Sequence, residues 1–219
     1  MKKKLLVASL LAFAGTGVMA QSAFEGVYGQ VGIGYESVDA GFSNGTVRSG
    51  GATGRAYTLT SSNSNSFAGA VGIGGYFPVT KSFLLGLGAD YSPLAGSSTT
   101  ATFTIPTVNY SERISWKKKD SYTVFVSPAY AIDKNKLAYA KVGYAGMTTN
   151  STAQDGTKDS INYTGYALGL GYKQIISGGV YAFGEVNYAS YGSKPSGSDV
   201  SGSNKPTTMN ALVGVGYKF

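Results

Sequence analysis

The end of the chain alternates between apolar residues and small or polar residues. Residues 209–219 place apolar and aromatic side chains at the odd positions, namely Met209, Ala211, Val213, Val215, Tyr217 and Phe219. This period of two predicts a β-strand with one apolar face. A strand in the sheet of a soluble protein seldom ends on an aromatic residue at its solvent-exposed end. We therefore interpret the apolar face as lipid-facing, with Tyr217 and Phe219 in an interfacial aromatic girdle.

The same pattern recurs along the chain and predicts eight strands. Aliphatic residues alternate with glycine and lead to tyrosine at residues 31–35, 71–76, 85–91 and 168–172, as they do at residues 213–217. The predicted strands are residues 24–38, 67–77, 83–91, 122–132, 137–147, 161–173, 180–191 and 209–219. We interpret Gly75 as a β-bulge that returns Tyr76 to the lipid face. Pro128 cannot donate to a strand ladder and predicts a local irregularity.

Charged residues decide which face of a strand points inward. A lysine facing lipid at the membrane midplane costs about 2–4 kcal/mol, so Lys141 is expected to face the interior, and Glu185 by the same argument. Glu36 and Asp90 have the same inward parity on their strands. Because buried charges need partners, we predict one polar network in the lumen formed by Glu36, Asp90, Lys141 and Glu185.

The connections between these strands alternate between long and short. Residues 39–66, 92–120, 148–160 and 192–206 are long and polar, whereas residues 78–82, 133–136 and 174–179 are short. Within the second long segment, residues 99–105 and 109–116 alternate enough to predict a protruding hairpin. The predicted fold is all-β: an eight-stranded antiparallel up-and-down transmembrane β-barrel with four long extracellular loops and three short periplasmic turns.

The first twenty residues predict a secretory signal peptide. Lys2, Lys3 and Lys4 precede an apolar core, and Val18-Met19-Ala20 forms a small-residue cleavage site, so cleavage is expected after Ala20. The mature domain is then residues 21–219. Its formal charge falls from +7 to +4, because 15 basic residues remain against 11 acidic ones. This weak basic bias favours a solvated surface over a nucleic-acid site.

These features together resemble a known class of membrane protein. The signal peptide, the repeated glycine-aromatic strands and the last strand make residues 21–219 similar to the small eight-stranded outer-membrane β-barrels of the OmpA transmembrane-domain, OmpX/Ail and Opa-like porin families. The resemblance implies insertion into the outer membrane of a Gram-negative bacterium. It also implies that Val213, Val215, Tyr217 and Phe219 form the carboxy-terminal signal read by the barrel-assembly machinery.

The residue types present argue against catalysis. Outer-membrane enzymes as a rule use histidine as the general base, and this chain has neither His nor Cys. Its Gly-x-Gly pairs lie inside predicted strands, whereas a phosphate-binding loop needs a following helix. We predict no cofactor, no metal site and no catalytic residue. At the predicted outer rim, Trp116, Lys117, Lys118 and Lys119 are candidates to contact lipopolysaccharide phosphates or a partner, with a solvated loop end as the alternative.

The favoured function is a structural or surface-interaction scaffold of the adhesion type, which displays its loops to a host or cell-surface ligand. We expect the second loop, with its hairpin and Lys117 to Lys119, to carry most of any adhesive contact. The alternative is that the loops only shield the barrel mouth and pack against lipopolysaccharide sugars. The expected environment is outer-membrane lipid and lipopolysaccharide, without nucleic acid, and the expected oligomeric state is a monomer. One alternative is a small passive pore, because inward glycines could leave space in the lumen. A lipid-modifying enzyme is a further alternative, which the missing His disfavours.

Overall fold

A computed structural model describes residues 22–94 and 96–219, so the predicted signal peptide and its cleavage site lie outside the described residues. These residues form thirteen strands and a 3-10 turn at Pro106–Val108. No helix among them is long and apolar enough to cross a membrane. The strands are β1 Gly26–Asp39, β2 Gly45–Thr46, β3 Ala56–Ser61, β4 Ser64–Pro78, β5 Phe83–Ser92, β6 Thr99–Ile105, β7 Tyr110–Asp133, β8 Lys136–Thr152, β9 Lys158–Ser177, β10 Val180–Tyr191, β11 Lys194–Pro195, β12 Ser203–Asn204 and β13 Thr207–Lys218.

Eight of these strands close into a ring. Each pairs antiparallel with the next in the order β1, β4, β5, β7, β8, β9, β10 and β13. The pairing of β13 with β1 then closes the ring, from Tyr28 opposite Lys218 to Asp39 opposite Thr207. Closure leaves no unpaired edge within the barrel, as a sheet in lipid requires. The predicted eight-stranded antiparallel barrel is confirmed.

The two faces of the ring carry different residues. The predicted lipid-facing positions are exposed on the outside, among them Ile33, Leu87, Val124, Leu170 and Val213, each more than half exposed. The inside carries buried aromatic, polar and charged side chains. An apolar outer face around a polar lumen is the arrangement of a barrel that spans a lipid bilayer.

Inward glycines lie beneath the rings of neighbouring strands. A Cβ at these glycines would collide with a ring in four pairs near the short-turn end: Gly74 with Tyr28, Gly86 with Tyr76, Gly171 with Tyr139 and Gly216 with Tyr181. Higher in the lumen, Phe125 takes the same position over Gly88 and Phe183 over Gly32. The space that glycine leaves is therefore filled by aromatic side chains rather than left as a channel.

The predicted β-bulge at Gly75 is wrong. Strand β4 keeps an unbroken register with both β1 and β5, so Gly75 occupies an outward position and Tyr76 points inward. Tyr76 is 1% exposed, stacks on Tyr28 and shares a hydrogen bond with Ser127. Glycine at an outward position simply continued the alternation, and burial of a large ring over Gly86 stabilises that arrangement.

The predicted irregularity at Pro128 has a local cause. Pro128 pairs with Leu85 of β5. On the other side, the pairing of β7 with β8 is interrupted between Val126 and Ala129. Proline has no N–H to donate towards β8. The neighbouring Ser127 instead donates its hydroxyl to the carbonyl oxygen of Ala140, at 2.8 Å. A side chain therefore supplies the hydrogen bond that the backbone cannot make.

The long-loop end has more strand structure than the sequence predicts. The hairpin predicted within residues 99–116 is present as β6 and the start of β7, which are joined by the 3-10 turn. The third segment, predicted as a loop at residues 148–160, is mostly an extension of β8 and β9 and leaves only residues 153–157 as loop. The first and fourth segments pair with each other through the bridges Phe42–Asn204 and Val47–Val200. Such pairing is remote in sequence, so local composition did not indicate it.

The packing of rings over inward glycines can be tested by substituting one inward-facing and one outward-facing glycine of the barrel. A Cβ at Gly214 would collide with the Val31 carbonyl oxygen and lie 2.6 Å from Cε1 of Phe183, whereas one at Gly184 meets nothing within 4 Å. We expect Gly214→Val to destabilise the barrel by about 1–3 kcal/mol through overpacking. Gly184→Val should leave stability nearly unchanged. The measurement is the temperature at which each purified protein changes from folded to unfolded gel mobility, and equal temperatures for both variants would contradict the account.

Candidate functional site

The centre of the lumen is an ion triad on three strands. Lys141 of β8 places its Nζ 2.6 Å from Asp90 Oδ2 of β5 and 2.6 Å from Glu185 Oε2 of β10. The Lys141 side chain is 4% exposed, and the side chain of Glu185 is 2% exposed. Each residue occupies an inward position of its strand, as the sequence predicted. The structure thus brings together three of the four residues of the predicted network.

Neutral side chains complete the hydrogen bonding of this triad. Tyr139 donates its hydroxyl to Glu185 Oε2 at 2.8 Å, and Asn187 donates its amide to Glu185 Oε1 at 2.8 Å. The same amide group of Asn187 also donates to Asn210 Oδ1 at 2.9 Å. Because buried charges are costly without partners, these bonds help to offset the loss of water around Glu185. Strands β8, β10 and β13 are thereby connected across the lumen.

Glu36 belongs to a separate ion pair, contrary to the prediction of one network. Its Oε1 lies 2.5 Å from Nζ of Lys118, and both side chains are nearly inaccessible. Lys118 also donates to the Ser121 hydroxyl at 3.3 Å. The register of β7 against β8 shifts between Lys118 and Asp120, which indicates a bulge at that point. This bulge turns Lys118 into the barrel and gives Glu36 a nearer partner than Lys141.

The predicted rim residues are divided between the inside and the outside. Trp116 is 3% exposed and packs with Val38 and Ala40 inside the long-loop mouth. Burial therefore excludes Trp116 and Lys118 from the predicted contact with lipopolysaccharide phosphates or a partner. Lys117 and Lys119 are exposed. Alternation along β7 and the bulge, which the run of three lysines concealed, explain this division.

The short-turn end of the lumen is closed by a lysine among tyrosine rings. Lys173 is 1% exposed, and its Nζ lies 3.5 Å from the ring centroid of Tyr28. The centroids of Tyr76, Tyr139 and Tyr181 follow at 5.2, 5.2 and 4.9 Å. Among the described residues, Nζ has no hydrogen-bond partner. The ammonium group is therefore held by cation–π attraction from the ring faces.

Sequence reasoning missed this cage, which we call the tyrosine cage, defined by Tyr28, Tyr76, Tyr139 and Tyr181. The predicted polar network did not include Lys173, which contacts rings rather than acids. The available signal was the inward parity of these tyrosines, each of which lies next to an inward glycine of an adjacent strand. The mistaken bulge at Gly75 hid Tyr76, and with it the pattern.

A small polar cavity remains between the ion triad and the long-loop mouth. Its volume is about 60 Å³, and its lining includes Glu36, Asp90, Lys141, Glu185 and Asn210. A cavity of this size holds a few water molecules, which need polar partners of this kind. Across residues 22–94 and 96–219, no group of three His, Cys, Asp or Glu residues has the spacing to hold a metal ion.

The carboxy-terminal residues lie on the outside of the short-turn end. Val213, Val215, Tyr217 and Phe219 are all at least half exposed. The rings of Tyr217 and Phe219 meet edge to face with centroids 5.2 Å apart, and the Phe219 N–H donates to the Val27 carbonyl oxygen at 2.9 Å. The geometry fits an interfacial aromatic girdle. Recognition of these residues by the barrel-assembly machinery stays a prediction.

Comparisons with known proteins agree with this architecture. The family model described as outer membrane protein beta-barrel domain matches residues 5–219. A search of curated proteins finds no match to the chain.

Among solved structures, the outer membrane protein OprG from Pseudomonas aeruginosa is 16% identical with a TM-score of 0.51, over 89% of this chain and 96% of that chain. Ail, the attachment invasion locus protein of Yersinia pestis, is 13% identical with a TM-score of 0.49, over 89% and 99%. The outer membrane protease OmpT from Escherichia coli is 10% identical with a TM-score of 0.49, over 90% and 97%. At this identity the similarity to OprG shows a shared fold alone.

The ion triad predicts a large effect of removing its cation. Lys141→Met would leave the buried Glu185 and the partly buried Asp90 without their shared partner, and we expect a loss of about 3–5 kcal/mol in unfolding free energy. Adding Asp90→Asn and Glu185→Gln should restore part of this loss, since the unpaired charges are removed. The exposed Lys158→Met serves as control. Equal thermal shifts in gel mobility for Lys141→Met and Lys158→Met would contradict a stabilising triad.

Proposed function

This chain belongs to the outer membrane protein beta-barrel domain family, and we propose that it acts as a surface-interaction scaffold of the adhesion type. It is an integral β-barrel of the outer membrane. In barrels of this class the long loops face the exterior and the short turns face the periplasm. The contact surface is then the long-loop end, and the membrane-embedded part serves to hold it in place.

The observation that carries this proposal is the length of β7. It has 24 residues, whereas a transmembrane strand needs about 9–11. Its outer part pairs with β6 on one side and with β8 as far as Thr152 on the other. Residues 110–114 pair with β6, residues 117 and 118 pair with β8, and Ser115 and Trp116 pair with both. A strand held in a ladder along its length is already ordered, so a partner that binds it does not bear the entropic cost of ordering a loop. We call this extension, formed by β3, β6 and residues 110–119 of β7 with the facing end of β8, the outer wall.

The hairpin at the end of the outer wall presents apolar and aromatic groups. Val108 is 44% exposed and Tyr110 is 47% exposed, next to Asn109, whose φ of 52° makes the tight turn. Tyr110 also packs edge to face against Phe103 and donates its hydroxyl to Glu112. A preordered, exposed tyrosine beside an apolar residue is typical of the anchors that dominate protein interfaces.

Other aromatic residues near the hairpin support it from beneath. Tyr57 is 1% exposed, and its ring centroid lies 4.7 Å from that of Phe103. Tyr57 and Ile105 form a small core with Val47 of the first loop. This core fixes the hairpin to the first loop and leaves Tyr110 as the accessible aromatic group. The same hairpin leads into Lys117 and Lys119, which we propose contact lipopolysaccharide phosphates.

The two alternative functions have less support. For a passive pore, a path would have to pass the tyrosine cage, the ion triad and the cluster around Trp116. For a lipid-modifying enzyme, a general base would have to come from residues other than histidine, which the chain lacks. We propose a non-enzymatic monomer that is exported with a signal peptide cleaved after Ala20 and assembled through its carboxy-terminal strand.

Shortening the hairpin tests the adhesive role. Residues 102–113 would be replaced by a Gly-Ser turn that joins Ala101 to Ile114, which are register partners. Thr99 and Trp116 are kept, because Thr99 donates to the Ser62 carbonyl oxygen and Trp116 is buried in the mouth. We expect a folded barrel at normal surface level and a several-fold loss in binding of intact cells to a host matrix or to sister cells.

The matched control shortens the third loop in the same way, by joining Thr152 to Lys158, which are also register partners. Ser151 and Thr152 are kept, because they pair with Trp116 and Ser115 of the outer wall. Its adhesion should stay at the level of the full-length protein. High salt should reduce any share of binding that Lys117 and Lys119 contribute, since screening weakens exposed charge pairs. Full adhesion by cells that carry the folded hairpin variant would refute the adhesive role of this surface.

A further inference from the structure

The first and fourth loops enclose a cleft away from the adhesive hairpin. Its volume is about 220 Å³, and its lining includes Arg48, Ser193, Lys194, Ser201 and Ser203. Two cationic side chains and three hydroxyl groups therefore share one concave surface. We call it the loop cleft.

Backbone hydrogen bonds between the two loops hold the loop cleft open in one shape. The N–H of Arg48 donates to the Asp199 carbonyl oxygen at 2.7 Å, and the N–H of Ser201 donates to the Thr46 carbonyl oxygen at 2.9 Å. Thr46 in turn donates its N–H to the Ser201 hydroxyl at 2.7 Å. The bridge between Val47 and Val200 lies between these bonds. Such a site needs little reorganisation when a ligand binds, which favours affinity.

The charge of the two loops is one-sided. Residues 40–63 and 192–206 contain the basic residues Arg48, Arg55, Lys194 and Lys205 and a single acid, Asp199. Asp199 does not line the loop cleft, and its carboxylate accepts a hydrogen bond from Ser49. Within the described part of the chain, neither Arg48 nor Lys194 forms an ion pair. The Lys194 ammonium contacts the Tyr163 ring at 6.0 Å from its centroid, a contact that leaves its charge without an acidic partner. The two cations that line the loop cleft are thus available to an anion.

We propose that the loop cleft binds a saccharide that carries a phosphate or sulfate ester. The Arg48 guanidinium offers planar paired donors that match the oxygens of such an ester, and Lys194 adds a second positive charge. Serine hydroxyls at the wall of the cleft suit the hydroxyl groups of a sugar. The volume has room for one sugar unit rather than for a folded partner. A single-stranded nucleic acid would need stacking platforms, and the loop cleft lacks aromatic lining.

This ester chemistry occurs on lipopolysaccharide and on sulfated glycans outside the cell. The proposal concerns loops one and four, whereas the adhesive surface is the hairpin of loop two. The ester-binding proposal and the adhesion proposal can therefore fail independently of each other. The hairpin-shortened protein is not used to test the loop cleft, because it lacks Ile105, which packs against Val47 beside the cleft.

The test is a titration of the purified, folded full-length barrel in detergent micelles. Glucose 6-phosphate and glucose 6-sulfate are the probes, and glucose is the uncharged comparison. We expect the esters to bind and glucose not to bind, with weaker binding at high ionic strength. Arg48→Gln with Lys194→Gln should weaken ester binding by about tenfold or more. The control pair, Arg55→Gln with Lys205→Gln, changes the net charge equally and should keep the affinity of the parent protein.

Gel mobility shows that each variant is folded, and the single variants Arg48→Gln and Lys194→Gln replace the double variant if it does not fold. Preference for the phosphate ester assigns the site to lipopolysaccharide-type sugars, and preference for the sulfate ester assigns it to sulfated glycans. Absence of binding to either ester overturns the proposal. So does an equal loss of affinity in the control pair, which would indicate net charge rather than this cleft.

Discussion

An eight-stranded barrel must fill its own interior with side chains. The packing of aromatic rings over inward glycines is the interaction on which the rest of this structure depends. Tyr28 over Gly74 and Tyr139 over Gly171 bring large side chains into a narrow lumen, because the glycine beneath each ring leaves the space that the ring fills. These rings then surround Lys173, and the hydroxyl of Tyr139 reaches Glu185. Glycine thus determines where the rings lie, and the rings determine how the buried charges are partnered.

This filled interior directs function to the long-loop end. The lumen is crossed by the tyrosine cage, by the triad of Lys141 with Asp90 and Glu185, and by the cluster around Trp116. A barrel closed at three levels is a rigid support for the surface above it. The outer wall and the paired first and fourth loops continue this order beyond the span that a membrane strand requires.

Short-range patterns predicted the barrel and the ion triad well. Period-two alternation gave the eight strands, and the cost of a charge in lipid placed Lys141 and Glu185 inward, where they meet. Two features were missed because the predicted inward or outward parity was wrong at single positions. Gly75 continues the alternation without a bulge, and a bulge beyond Lys118 turns that residue inward. The pairing of Val47 with Val200 was also missed, since no local signal in a Gly- and Ser-rich loop specifies a partner so distant in sequence.

Single-channel recording in planar lipid bilayers tests the central claim, that aromatic and charged side chains close the lumen. The purified barrel, shown to be folded by its gel mobility, would be inserted into the bilayer at high salt. The account predicts a flat current without discrete steps, because no continuous water path passes the tyrosine cage and the ion triad. Reproducible steps of uniform size from the folded protein would contradict it and would favour the passive pore.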